Sequence, residues 1–241
     1  MRRSLSCFLF LVAGAVFFSG CGGLFVSPDP PQTAEELYRA AEQAMENESY
    51  ETAVEKYQEI RVEHPFSPYT QEAELGLADA YFKQGEYEAA ESAYKEYESR
   101  YPGDPEIPRV LYRIGRANLE QFRSIELNTE SVEEARQYFT RLIQTRPESE
   151  YVDKAREALE RSRRYLARHE ILVADFYMRT GKYKSAWRRY YGVQTEFQDL
   201  EGLKEYAQLR AKEAYFLSLM QSSESTRAAH EGSWRDWFQW L

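Results

Sequence analysis

Residues 50–65, YETAVEKYQEIRVEHP, place Tyr50, Ala53, Tyr57 and Ile60 three or four positions apart, with mostly charged and polar residues between them. That spacing puts the apolar group on one stripe of an α-helix. Pro65 then ends the helix, because it lacks the donor that the next turn requires. The series returns as Tyr87, Ala90, Tyr94 and Pro102, each displaced by 37 residues. Ahead of each stripe lies another helical pattern with small residues: Leu37, Ala40, Ala41 and Ala44 in the first copy, Leu77, Ala78 and Tyr81 in the second. Thr33 with Glu36 fits a capping box at the start of the first helix. A fixed period of helix pairs predicts a stack of repeats, since one pair alone leaves its apolar face uncovered.

The third copy carries Leu111, Ile114, Gly115 and Asn118, then Val132, Ala135, Phe139, Leu142 and Pro147. Its closing proline falls 45 residues after Pro102, and the eight extra residues lie near 123–130, in the turn between the paired helices. Such an insertion is either a binding element on one face of the stack or a neutral loop extension. Residues 151–169 predict a long helix with Ala155, Ala158, Leu159 and Leu166 inward and many arginines outward. A fourth copy follows with Val173, Ala174, Tyr177, Gly181, Tyr183, Ala186, Tyr190 and Val193, and Gln198 stands where the proline is expected. A fifth opens with Tyr206, Leu209, Ala214, Tyr215 and Leu217, but its second helix is not recognisable. Small residues at helix crossings, with large aromatics filling the holes between, resemble the tetratricopeptide repeat. The expected fold is all-α, a tetratricopeptide-repeat superhelical solenoid of about five helix pairs. Repeats one to three occupy 33–149, and a linking helix with repeats four and five occupies 150–222. A polar linker and an aromatic segment, SWRDWFQWL, make up 223–241.

The first 20 residues form a separate unit. Arg2 and Arg3 precede a largely apolar run at 5–18, and Ser19-Gly20 stand before Cys21. A membrane span needs about 20 apolar residues, so this run reads as a secretory leader. Phe18-Ser19-Gly20-Cys21 resembles the bacterial lipobox, with Phe18 in place of the usual Leu. The resemblance implies cleavage before Cys21 and a covalent lipid on it. Several acyl chains, at about 0.8 kcal/mol per buried methylene, anchor stably where one would be marginal. Gly22, rather than Asp, directs such a lipoprotein to the outer membrane. Residues 21–32 carry three prolines and no helical period, as expected of a flexible tether.

The formal net charge is −9, and loss of Arg2 and Arg3 makes the mature chain more negative still. Nucleic-acid binding depends on basic patches that neutralise phosphates, and this balance argues against it. His64, His169 and His230 are scattered without metal-ligand spacing, and no phosphate cradle or nucleophile elbow is present. A non-enzymatic scaffold without cofactor or metal is expected. First helices of stacked pairs line a concave surface that suits extended peptides, and here they present Tyr38, Glu42, Asp79, Phe82, Tyr112 and Arg116.

The lipobox joined to VEKYQEIRVEHPFSPY, and the segment HEILVADFYMRTGKYKSAWRRYYGV, resemble the BamD family, also called ComL, over residues 21 to about 222. The resemblance implies a lipid-anchored protein on the periplasmic face of the outer membrane, within the machinery that inserts β-barrel proteins there. Its implied partners are a periplasmic POTRA domain of BamA, other Bam lipoproteins, and unfolded outer membrane β-barrel proteins, with the last meeting the N-terminal repeats. A family arginine coupled to BamA falls on Arg189, and Arg179 and Arg188 join it in a basic patch suited to an acidic partner. The alternative is a general periplasmic tetratricopeptide lipoprotein that organises cell-wall, division or secretion complexes. Trp234, Trp237, Phe238 and Leu241 share a helical face that either caps the last apolar surface of the stack or anchors a partner.

Overall fold

The computed structural model describes residues 32–122, 124 and 129–238, with side chains as far as Ala229. The leader, Cys21, the tether before Gln32 and the side chains of the tryptophan-rich end lie outside the described residues. Among the described residues there are nine helices and no strand. They are α1 (Ala34–Glu46), α2 (Tyr50–Glu63), α3 (Thr70–Gln84), α4 (Tyr87–Arg100), α5 (Ile107–Gln121), α6 (Glu130–Thr145), α7 (Val152–Arg179), α8 (Tyr183–Glu196) and α9 (Glu201–Phe238). The linking helix and the first helix of repeat four are one continuous element, α7. Residues 223–232, expected as a polar linker, continue α9 as helix.

Each helix packs on its neighbours in the chain, and further contacts join α1 to α3, α5 to α7 and α7 to α9. All of these are first helices of their pairs. Elements that touch across an intervening helix lie on the inside of a curved stack, so the first helices form the inner side. α3 shows how one helix serves two repeats: Ala73, Leu77 and Ala80 join the core of α1 and α2, while Leu75 and Ala78 join the core that runs on to α9.

Local signals set the element boundaries. At α1 the Thr33 hydroxyl accepts from the Glu36 amide and the Glu36 carboxylate accepts from the Thr33 amide, closing the capping box. Gly85 and Gly181 turn the chain in the left-handed region, with φ of 87° and 71°. In the first repeat Glu48 holds that place with φ of 57°, a conformation that costs a non-glycine residue about 1–2 kcal/mol. Between pairs, the Ser67 and Ser149 hydroxyls accept from Tyr69 and Tyr151 amides at 3.2 Å, and the Asp104 carboxylate accepts from Glu106 at 2.7 Å. These side chains replace helix hydrogen bonds in the turn. α8 stops at Glu196 without the proline found in earlier copies, and Phe197 buries itself directly after it.

The centre of each second helix carries a fully buried ring, Tyr57, Tyr94, Phe139 or Tyr190, beside a fully buried alanine. Gly76 and Gly115 make room for two of these rings. A Cβ on Gly76 would lie 2.5 Å from the Tyr57 ring, and one on Gly115 would lie 2.5 Å from the Phe139 ring. Gly115→Ala therefore sets a helix-propensity gain of about 1 kcal/mol against an overpacking loss of about 1–3 kcal/mol. We predict net destabilisation in urea titration, whereas Gly192→Ala, in α8 with open space around it, should stabilise.

Candidate functional site

The six residues expected on the inner surface lie on three first helices: Tyr38 and Glu42 on α1, Asp79 and Phe82 on α3, Tyr112 and Arg116 on α5. Glu42 is exposed and the others are half-buried. Their polar ends already have partners. The Tyr57 hydroxyl donates to Glu42, the Tyr94 hydroxyl donates to Asp79, and Arg109 donates to the other oxygen of Asp79 at 2.7 Å. Arg116 reaches the Tyr112 hydroxyl at 3.4 Å and Glu120 at 2.6 Å. The aromatic members pack by their faces and edges: Tyr38 against Tyr57 and Tyr69, Tyr112 against Phe139 and Tyr151, and Phe82 between Tyr87 and the Arg113 guanidinium.

A regularity runs through these contacts. The hydroxyl of the central tyrosine donates to a carboxylate 15 residues earlier in Tyr57–Glu42, Tyr94–Asp79 and Tyr190–Asp175. Burial pushes the Tyr94 hydroxyl well above the usual phenol range, and the Asp79 charge acts in the same direction. Burial also raises Tyr57 and Tyr190, each with its carboxylate partner adding to the effect. Repeat three breaks the pattern in both members at once: Phe139 has no hydroxyl, and the place of the acceptor after Gly115 is taken by Arg116. A carboxylate left there would lack its donor, and a cation needs none. Asp175 escaped the sequence reading, although its fixed distance from Tyr190 was a usable signal. Arg109 and Arg113, which tie repeat three to repeat two through Asp79 and Phe82, had no comparable signal.

The three arginines of repeat four are all exposed. Arg189 on α8 donates to both carboxylate oxygens of Glu170 on α7 at 2.8 Å. Arg179 ends α7 nine residues beyond Glu170, about 13 Å along the helix axis at 1.5 Å per residue. Arg188 and Arg179 make no ion pair among the described residues. The patch is thus one restrained guanidinium with a free neighbour, and a third charge further along.

Residues 30–230 match the YfiO family, outer membrane lipoproteins. The chain belongs to that family. Among curated YfiO-type relatives, the outer membrane protein assembly factor BamD of Vibrio cholerae serotype O1 is 25% identical over 227 residues, covering 90% of this chain and 93% of the relative. BamD of Pasteurella multocida is 27% identical over 224 residues, covering 88% and 85%. Among solved structures, the TPR2AB domain of yeast Sti1 in its HSP90 complex is 15% identical, covers 73% of this chain and 70% of its own, and has a TM-score of 0.45.

The Arg189–Glu170 pair is partly exposed, which limits its worth to about 0.2–1 kcal/mol. Arg189→Glu should lower the thermal midpoint slightly, Arg189→Glu with Glu170→Arg should recover it, and Arg188→Glu should leave it unchanged.

Proposed function

We propose that this chain is a non-enzymatic scaffold lipoprotein of the β-barrel assembly machinery. The carrying observation is the match of residues 30–230 to an outer membrane lipoprotein family whose curated relatives are named assembly factor BamD. A covalent lipid on Cys21 holds the chain to the periplasmic face of the outer membrane. Residues 22–32 lie almost wholly outside the described residues; at about 3.1 Å per residue, the polyproline limit, they would set an upper reach of about 34 Å between lipid and first repeat. Unfolded barrel proteins pass along the inner side, where Tyr38, Phe82 and Tyr112 offer aromatic surface beside Glu42, Asp79 and Arg116. Asp79 and Arg116 are ion-paired with Arg109 and Glu120, while Glu42, bonded to the neutral Tyr57 hydroxyl, keeps its charge for a polar or basic group of the passing chain.

BamA docks through its periplasmic POTRA domain on the C-terminal half, with Arg188 and Arg189 toward acidic groups of the partner. Arg188 supplies the free charge. Arg189, fixed by Glu170, supplies a guanidinium whose orientation is set before binding, which lowers the entropy lost on association.

The test is capture from solubilised outer membranes by the tagged full chain. Wild type should retain BamA, and Arg188→Glu should weaken retention while helicity and thermal midpoint stay at wild-type values. Absence of BamA from the wild-type capture, under conditions that keep its complex intact, overturns the proposal. In the same cells a clickable fatty acid should label the wild type and not Cys21→Ser; labelling of both would remove the lipid anchor from the account.

A further inference from the structure

The turn that closes repeat one holds an apolar ring out into solvent. Phe66, between Pro65 and Pro68, is 99% exposed, and Val62 in the last turn of α2 is 73% exposed. The turn itself is well tied. The Ser67 amide donates to the His64 carbonyl at 3.0 Å, the Thr70 hydroxyl donates to the same carbonyl at 2.7 Å, and the Tyr69 amide donates to the Ser67 hydroxyl at 3.2 Å. The two prolines restrict it further by fixing their own φ. A set backbone therefore presents the ring, and folding leaves its apolar surface in water.

The other repeats do not do this. Counted from the residue that caps each second helix, His64, Tyr101, Arg146 or Phe197, the place of Phe66 is taken by Gly103, Glu148 and Asp199. The place of Val62 is taken by Ser99, Gln144 and Thr195. Repeat one alone among these four carries an apolar pair where the rest carry polar residues or glycine. It is also the repeat that meets the tether. The His64 ring Nε2 lies 3.0 Å from the Gln32 carbonyl oxygen, so the chain that leads back to Cys21 enters the described structure beside this turn. Gln32 stands 11 positions after Cys21, a reach of at most about 34 Å in the polyproline limit.

We propose that Phe66, together with Val62, docks into the surface of the bilayer that carries the lipid of Cys21, as a second, non-covalent membrane contact. The inference rests on the lipid anchor proposed above. One side chain binds a membrane weakly by itself, but the tether makes the step intramolecular, at an effective concentration on the order of millimolar. A lipid surface is favoured over a protein groove because it lies within that reach for every anchored copy and accepts a lone ring without matching its shape. Glu63, exposed between the two apolar residues, adds no attraction to anionic headgroups, so the surface it fits is zwitterionic. Two points of attachment hold the stack at one orientation to the membrane, where a tether alone lets it swing.

The experiment uses the acylated full chain, purified from membranes and returned to phosphatidylcholine vesicles, with an environment-sensitive fluorophore on Glu63→Cys. Cys7 leaves with the leader and Cys21 carries lipid, so the introduced thiol takes the label. Brominated acyl chains should quench this label and spare one on Glu148→Cys, at the matching turn of repeat three. Burial of one phenylalanine corresponds to about a tenfold change in a two-state ratio. Phe66→Ser should therefore lower the docked-to-undocked ratio read from quenching by about tenfold, with the thermal midpoint unchanged. Quenching that survives Phe66→Ser overturns the proposal, as does a label shifted in emission but unquenched, the sign of a protein partner or a second copy. Intact mass separates this inference from the reading beneath it. An acylated chain with an unquenched label overturns the docking alone, whereas a chain without acyl groups removes the anchor and the docking together.

Discussion

The ring at the centre of each second helix fixes how the helices of the stack approach one another. Tyr57, Tyr94, Phe139 and Tyr190 are fully buried among small residues, and at Gly76 and Gly115 the fit leaves no space for one more carbon. Where the ring is tyrosine, its hydroxyl ends at a carboxylate on the first helix of the same pair. Packing alone would tolerate some sliding of one helix along another. A hydroxyl with a single acceptor within reach does not, because a buried donor without a partner costs about 1–3 kcal/mol. The carboxylates then extend the restraint to the next repeat, through Arg109 to Asp79 and through Tyr206 to Asp175.

That constraint also shapes the inner surface. Glu42 and Asp79 look like free charges available to a ligand when only the sequence is in hand, yet each is an acceptor inside its own repeat. The surface they leave is aromatic, with Asp79 ion-paired to Arg109 and Glu42 held beside a neutral hydroxyl. Repeat three, with Phe139 and Arg116 in place of tyrosine and carboxylate, departs most from the others. Its turn also carries the eight-residue insertion.

Much of the architecture was legible in the sequence because it rests on a period. The 37-residue recurrence of Tyr, Ala and Pro gives the helix pairs, their order and their buried stripe. Three things were not legible. The pairing of Arg189 with Glu170 depends on how α7 and α8 cross, which no single-helix pattern encodes. The contact of Arg113 with Phe82 crosses from one repeat to the next. Leu209 and Phe216 of α9 stand exposed, whereas most large apolar residues of the earlier helices are covered, and that difference depends on neighbouring helices rather than on a helix's own residues. The tyrosine–carboxylate series was readable in principle, since its 15-residue separation is constant, but acid residues are common on such helices and do not stand out.

The most direct test of the tyrosine–carboxylate bond is the unfolding free energy of Tyr94→Phe, measured by urea titration against wild type. The substitution keeps the ring and removes only the hydroxyl. Loss of about 1 kcal/mol or more, the worth of a hydrogen bond to a charged acceptor, is the predicted result. An unchanged free energy would contradict the account and leave ring packing alone as the organising force.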